Sequence, residues 1–172
     1  MRRFSGRAGR SVGVESKRAR GMTSARKLRA EDVDAVIAIV GESPEAAIWS
    51  AASYTKFAEE DGALALVIET DGEISAFLVG RRIGDQAEVL NLAVATRHRH
   101  KAQGTALLTE ALEEWRSGGG KSVYLEVRES NTGAIAFYER HGFTKMGQRK
   151  GYYREPDEAA VTMEKKLTAS IG

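Results

Sequence analysis

Apolar residues recur every three to four positions in four stretches of the chain, a period that predicts amphipathic helices. We expect helices over residues 31–40, from a cap at Ser50 to Glu60, over 103–117 and over 131–141. Three consecutive glycines, Gly118–Gly120, end the third helix, and Gly142 follows the fourth as a left-handed terminator. These helices supply the inward faces that a core requires.

Short apolar runs between the helices have strand character. We predict strands over residues 27–29, 64–69, 74–81, 87–94, 122–127, 143–146 and 160–167. Thr70-Asp71-Gly72 lies between the second and third runs and favours a hairpin turn. The order βααβββαβαββ predicts an α/β protein with one mixed sheet and helices on both faces.

Size and composition narrow the class of protein. A chain of 172 residues, 42% hydrophobic and 29% charged, is typical of one globular domain. We expect a cytoplasmic protein with no membrane partner, because no apolar run reaches the roughly 20 residues of a membrane span and no secretory signal is evident. There is no cysteine and there are only three histidines, so we expect neither a thiol nucleophile nor a metal site.

Charge is unevenly distributed. Residues 1–21 carry seven basic residues and one acid, whereas residues 22–172 carry 19 basic and 23 acidic residues. We expect residues 1–21 to be a disordered basic extension, either a segment that contacts nucleic acid or, the favoured interpretation, a stretch upstream of a start at Met22. Residues 22–167 then form the folded domain, and 168–172 a C-terminal tail.

The stretch 90–108 combines an apolar strand, a basic turn and a helix that opens near Gln103. The first amides of a helix lack intrahelical partners, and the helix dipole adds roughly half a positive charge there. Basic residues in the turn strengthen the attraction for anions: Arg97, His98, Arg99, His100 and Lys101. The order favours a diphosphate site, although basic turns before helices are often only solvated.

Three polar residues follow in a second constellation. Glu126 ends the strand 122–127, Asn131 opens the next helix, and Tyr138 lies two turns further on, on the same helical face as Asn131. Asn131 and Tyr138 can therefore face one ligand. Taken singly, Glu126 also fits a surface carboxylate, and Tyr138 a core aromatic residue.

Several short motifs follow one another along the chain: Asn91-Leu-Ala-Val94, Arg99-x-x-Ala102-x-Gly104, Ala106-Leu-Leu108, Leu125-Glu-Val-Arg128, Ser130-Asn131, Ala134-Ile-Ala-Phe-Tyr138, Gly142-Phe143 and Tyr152-Tyr153. With these motifs, residues 87–143 resemble the acyl-CoA core of the GCN5-related N-acetyltransferases (GNAT), and the wider resemblance covers about 22–167. Within that superfamily the chain is similar to bacterial ribosomal-protein alanine N-acetyltransferases.

The resemblance implies direct acetyl transfer from acetyl-CoA, without a metal, to a primary amine. It makes Glu126 the general base and Tyr138 the donor to the leaving thiolate. The implied cofactor-binding residues are Leu92, Ala93, Val94, Arg99, His100, Lys101, Ala102, Gln103, Gly104, Thr105 and Asn131. The favoured acceptor is a protein N-terminus, such as that of a ribosomal protein. A lysine or small amine is the alternative acceptor, and a catalytically weak acyl-CoA-binding module is a third interpretation.

The chain departs from the family pattern at two places. Ala102 stands where the family turn usually has glycine, and a left-handed alanine there costs roughly 1 kcal/mol. The loop after Tyr153 is short for the group, and Gly151 replaces a frequent asparagine. The first departure bears on cofactor affinity and the second on the choice of acceptor.

Overall fold

A computed structural model describes residues 24–168 and places seven strands in one sheet. The strands are β1 (Ala25–Lys27), β2 (Ala63–Thr70), β3 (Glu73–Ile83), β4 (Gln86–Val94), β5 (Ser122–Arg128), β6 (Thr144–Tyr153) and β7 (Glu158–Lys166). Their order is β1-β2-β3-β4-β5-β7-β6. The β4–β5 pair is parallel, as a helical crossover requires, and the other neighbours run antiparallel.

Helices cover both faces of the sheet. The helices α1 (Val33–Gly41) and α2 (Ala51–Ala58) pack on one face, against a cluster centred on Val67 and Phe77. The helices α3 (Gln103–Ser117) and α4 (Thr132–Arg140) belong to the cluster on the other face. This arrangement confirms the predicted α/β architecture with a mixed sheet and helices on both sides.

The first strand and the first helix differ from the predicted bounds. The strand lies at 25–27 rather than 27–29, and a 3₁₀ turn, Ala30–Asp32, precedes α1. The cause is Asp32, whose carboxylate accepts hydrogen bonds from the Arg26 guanidinium at 2.7 Å and from the Arg29 amide at 2.7 Å. These bonds draw the chain into a turn where apolar spacing alone suggested a continuous helix.

The predicted end of β6 at Met146 is wrong, because the strand continues to Tyr153. Apolar alternation could not reveal this extension, since every β6 residue except Tyr153 is exposed. Backbone pairing with β7 holds the strand instead, with Gln148 opposite Val161 and Arg149 opposite Ala160. The extension brings the Arg149 side chain to β5, where it contacts Glu126.

The sheet opens between its two parallel strands. Strands β4 and β5 pair from Gln86–Ser122 only as far as Glu88–Tyr124, and then diverge. Beyond that point β4 keeps its bonds to β3, and β5 keeps its bonds to β7. Alternate backbone amides of β4 therefore face a cleft rather than a neighbouring strand.

Two other predicted features fall mainly outside residues 24–168. The basic extension 1–21, with the proposed start at Met22, and most of the tail 168–172 lie beyond the described residues. Among the residues that are described, the longest helix has 15 residues, and none is long and apolar enough to cross a membrane.

Candidate active site

A cavity of about 1040 Å³ occupies the opening between β4 and β5. Its walls are the loop between α1 and α2, the end of β4, the β4–α3 turn, the inner face of α4 and the chain just after β6. Small-molecule sites typically measure roughly 300–1,000 Å³. The cavity is therefore large enough for an extended ligand.

The β4–α3 turn ends in a helix N-terminus that is open to the cavity. His100 and Ala102 have left-handed backbone conformations, with φ of 63° and 59°. Within residues 24–168 no side chain caps α3, and its first turn contains no acidic residue. The amides of residues 103–105 precede the first intrahelical bond, from the Ala106 amide to the Ala102 carbonyl. These features fit a diphosphate better than a neutral group.

The basic side chains of the turn are arranged differently from the expectation. The Arg99 guanidinium donates to the Val94 carbonyl at 3.3 Å and to Ser43 Oγ at 3.2 Å, so it braces the turn against the α1–α2 loop. Lys101 is exposed and lies outside the cavity wall, which His100 does line. Arg99 also lines the cavity, so two of the three predicted basic side chains, Arg99 and His100, lie on its wall.

His98 is a lining residue that the resemblance did not place among the cofactor-binding residues. It is only 8% exposed, and its Nδ1 has no hydrogen-bond partner among the described residues. The only signal for this position in the sequence is that His98 follows the strand closely, within the basic run.

Glu126 lies on β5, opposite Thr162 of β7, and lines the cavity. Its Oε1 accepts a hydrogen bond from Arg149 Nη1 at 2.7 Å. The Glu126 side chain is 20% exposed and that of Arg149 is 60% exposed. The carboxylate is thus held by an arginine that is largely exposed and can move away into solvent. Arg149 escaped the sequence analysis because the predicted strand stopped three residues before it.

Tyr152 completes this cluster. The Arg149 guanidinium lies 4.9 Å from the centre of the Tyr152 ring. Hydrogen bonding to the Glu126 carboxylate, followed by burial, raises the pKa of the Tyr152 phenol. Hydrogen bonding to the same carboxylate raises the pKa of Arg149. Around neutral pH the phenol is therefore uncharged and the guanidinium positive.

Tyr138 lies both in the core and on the cavity wall. It is 8% exposed, and its ring centre lies 5.5 Å from that of Phe143 in the core. It also lines the cavity. Burial raises the pKa of its phenol strongly, so the hydroxyl stays protonated through neutral and mildly alkaline pH.

Asn131 lines the cavity but has a structural task as well. Its side-chain oxygen accepts from the Ala134 amide at 3.1 Å and caps α4. The cap places the start of α4 beside the cavity and orients Tyr138 two turns later. Gly142 follows α4 with φ of 87°, as predicted.

The α1–α2 loop forms a wall that the sequence analysis did not predict. Asn91 is 7% exposed and donates from Nδ2 to the Ala47 carbonyl at 2.9 Å, which ties the loop to β4. Asn91 opens one of the quoted motifs, but its loop partner is 44 residues away in sequence.

Elsewhere on the cavity wall, the Arg128 guanidinium lies 4.2 Å from the centre of the Tyr153 ring.

The model of the Acetyltransferase (GNAT) family matches residues 33–143. This range contains both β4 and β5, the turn with the open helix N-terminus, Glu126 and Tyr138. The chain belongs to the GNAT acetyltransferase family.

Two relatives of this GNAT chain carry the name of one enzyme. A Bacillus subtilis protein with the name ribosomal protein bS18-alanine N-acetyltransferase is 31% identical over 138 residues, which cover 80% of this chain and 91% of that protein. The Escherichia coli K12 enzyme of that name is 36% identical over 95 residues, or 54% of this chain and 64% of the enzyme.

A solved structure agrees with the fold. The crystal structure of the Escherichia coli ribosomal-protein-S18-alanine N-acetyltransferase superposes with a TM-score of 0.75 at 28% identity, covering 88% of this chain and 97% of that one. The predicted family and enzyme class are confirmed: the chain is an N-acetyltransferase of the GNAT family, whose members use acetyl-CoA.

Proposed function

We propose that this GNAT enzyme transfers the acetyl group of acetyl-CoA directly to the N-terminal α-amine of a protein, foremost an N-terminal alanine of a ribosomal protein. The observation that carries the proposal is that one cavity joins an open helix N-terminus to the Glu126 carboxylate and the Tyr138 phenol. The names of the two relatives support the choice of acceptor. The predicted cytoplasmic location remains a prediction.

In this proposal the β4–α3 turn binds the diphosphate of acetyl-CoA through the amides of residues 103–105. Leu92, Ala93 and Val94 lie where β4 has lost its β5 partner, so amides from this stretch are available to polarise the thioester carbonyl. Both elements line the same cavity. The acetyl group is thereby directed toward the middle of the sheet, beside Glu126.

Proton transfer falls to two residues with opposite tasks. A peptide α-amine has a pKa of roughly 7.7–8.0, so it is mostly protonated at neutral pH and cannot attack. The Glu126 carboxylate takes that proton, through water, while Arg149 moves aside toward solvent. The amine nitrogen bonds to the acetyl carbon, the carbon–sulfur bond breaks, and the Tyr138 hydroxyl donates a proton to the departing sulfur. The second proton that the nitrogen loses as the amide forms returns through water to the Tyr138 phenolate, and Glu126 releases the first to solvent.

We assign the acceptor to the part of the cavity between the α1–α2 loop and the chain after β6, both of which line it. Residues 22–172 carry 19 basic and 23 acidic residues. This mildly acidic body favours approach of a basic acceptor, as ribosomal proteins are. A lysine side chain carries the same positive charge as a protonated α-amine, so charge alone does not distinguish the two acceptors and a peptide experiment is needed.

Peptides with one reactive amine each distinguish the proposed acceptor from the alternatives. We expect mass spectrometry to find one acetyl group on a peptide with a free N-terminal alanine and no lysine. We expect none on a peptide with a formylated N-terminus and an internal lysine. Acetylation of only the blocked peptide would favour a lysine acetyltransferase, and tight CoA binding without any product would favour a binding module.

Replacing Gly104 by valine should weaken acetyl-CoA binding at least about tenfold, because the added side chain occupies space at the diphosphate site. A Cβ at Gly104 would lie 3.4 Å from the Phe137 ring and 3.7 Å from Leu92 Cδ2, which is ordinary contact. Alanine therefore fits, but the two further methyl groups of valine must enter the cavity. Calorimetry should show near-normal affinity for Gly104→Ala and a large loss for Gly104→Val. Equal affinities for the two variants would place the diphosphate elsewhere.

A further inference from the structure

We infer that Gln103 is a positioning residue that latches the β4–α3 turn into its anion-binding shape by bonding to the turn end of the β2–β3 hairpin. The inference rests on the proposed binding of the acetyl-CoA diphosphate at this turn. It assigns to the side chain of Gln103 a task that is separate from that of its backbone amide.

The turn requires such a latch because its backbone is strained. His100 and Ala102 both have left-handed conformations, although neither is a glycine. Side chains with a Cβ adopt this region rarely, and such conformations persist only where surrounding contacts enforce them. Ala102 carries no polar side-chain atom that could hold its own conformation. The constraint must come from neighbouring residues.

Gln103, the residue after Ala102, begins a chain of buried and partly buried hydrogen bonds. It is 3% exposed, and its Nε2 donates to Thr70 Oγ1 at 3.1 Å. The hydroxyls of Thr70 and Ser75 are 2.9 Å apart, and Ser75 donates to the Ile68 carbonyl at 3.2 Å. The donors run in one direction, from Gln103 through Thr70 and Ser75 to the backbone of β2.

The start of the turn is fixed to the same hairpin. The Ala95 amide donates to the Ser75 carbonyl at 2.8 Å, and Arg97 forms an exposed ion pair with Glu73. The turn end of the hairpin, from Thr70 to Ser75, therefore holds the chain on both sides of the strained residues. Gln103 is the buried half of this arrangement.

The chemistry of Gln103 favours orientation over simple packing. Its Oε1 has no hydrogen-bond partner among the described residues. A buried polar atom without a partner is unfavourable, and a leucine of similar size would avoid it. However, the side-chain amide of glutamine forms a hydrogen bond with a fixed direction, whereas a leucine side chain forms none. An amide at this position thus fixes how the first turn of α3 faces the cavity.

The test measures CoA binding by calorimetry for Gln103→Leu. We expect the dissociation constant to rise about tenfold, because only the fraction of molecules with a formed turn binds. Thr70→Val removes the accepting hydroxyl and should have the same effect, which guards against a folding defect particular to the Gln103→Leu variant. Gln148→Leu is the matched control, since Gln148 is exposed and its side chain bonds to Glu129, away from the turn.

Rescue separates positioning from a merely structural role. Glycine adopts left-handed conformations freely, so Ala102→Gly should recover most of the lost affinity in the Gln103→Leu background. In the wild-type background, where the turn is already latched, it should strengthen binding less than about threefold. This non-additivity is the expected result of the double-mutant cycle.

Three results would overturn the inference. If Gln103→Leu lowers the melting temperature but leaves CoA affinity unchanged while Gly104→Val still weakens binding, Gln103 only packs, and the proposed function stands. If neither substitution alters affinity, the diphosphate does not bind at this turn, and the inference fails together with the proposed placement. Equal gains from Ala102→Gly in both backgrounds would also contradict the latch.

Discussion

Replacing Glu126 by glutamine should lower turnover about 10²–10⁴-fold while CoA binding survives, because the side chain keeps its shape but can no longer accept a proton. The protein should remain folded. The substitution removes an ion pair with the exposed Arg149, and such pairs contribute about 0–1 kcal/mol. Glu129→Gln is the matched control, since Glu129 is exposed and its carboxylate accepts from Gln148, outside the cavity.

The pH profile makes this prediction specific. In the wild type, turnover should level off near neutral pH, because Glu126 removes the proton from the bound amine. In Glu126→Gln, only amine that is already deprotonated reacts, so the rate should keep rising until the pH exceeds the amine pKa of roughly 8. Near-wild-type rates and an unchanged profile would make Glu126 a surface carboxylate.

Replacing Tyr138 by phenylalanine should lower turnover about 10²-fold, because the ring stays in the core but the donor to the departing sulfur is lost. The loss should be constant from neutral to mildly alkaline pH. Burial raises the pKa of this phenol above its usual value of about 10, so the wild-type donor is present throughout that range and is lost only above it.

Tyr124→Phe is the control for Tyr138→Phe, because Tyr124 lies on β5 but outside the cavity wall. Single-turnover kinetics with a free N-terminal alanine peptide should show the defect of Tyr138→Phe in the chemical step. A lower melting temperature with unchanged turnover would instead reduce Tyr138 to a packing residue.

The features that local sequence could predict are those fixed within a few residues. The strand, basic turn and helix over 90–108 were expected in that order, and the open N-terminus of α3 follows from it. Gly142 was recognised because a left-handed residue after a helix favours glycine. The alternation of helices and strands also sufficed for the mixed sheet.

The features that were missed depend on contacts between distant residues. Arg149 reaches Glu126 across 23 residues, from an exposed strand that backbone pairing holds. Gln103 reaches Thr70 across 33 residues, and Arg99 reaches Ser43 of the α1–α2 loop across 56 residues. No periodicity or local motif encodes such partners, because register and loop packing decide them.

A crystal structure with a conjugate of CoA and an alanine-terminated peptide tests the central claim most directly. We predict the diphosphate on the amides of residues 103–105 and the sulfur beside the Tyr138 hydroxyl. We also predict the peptide nitrogen within one water of the Glu126 carboxylate, with hydrogen bonds of about 3 Å and with Arg149 displaced. A conjugate whose nitrogen lies far from Glu126, with the Arg149 pair intact, would contradict the proposed mechanism.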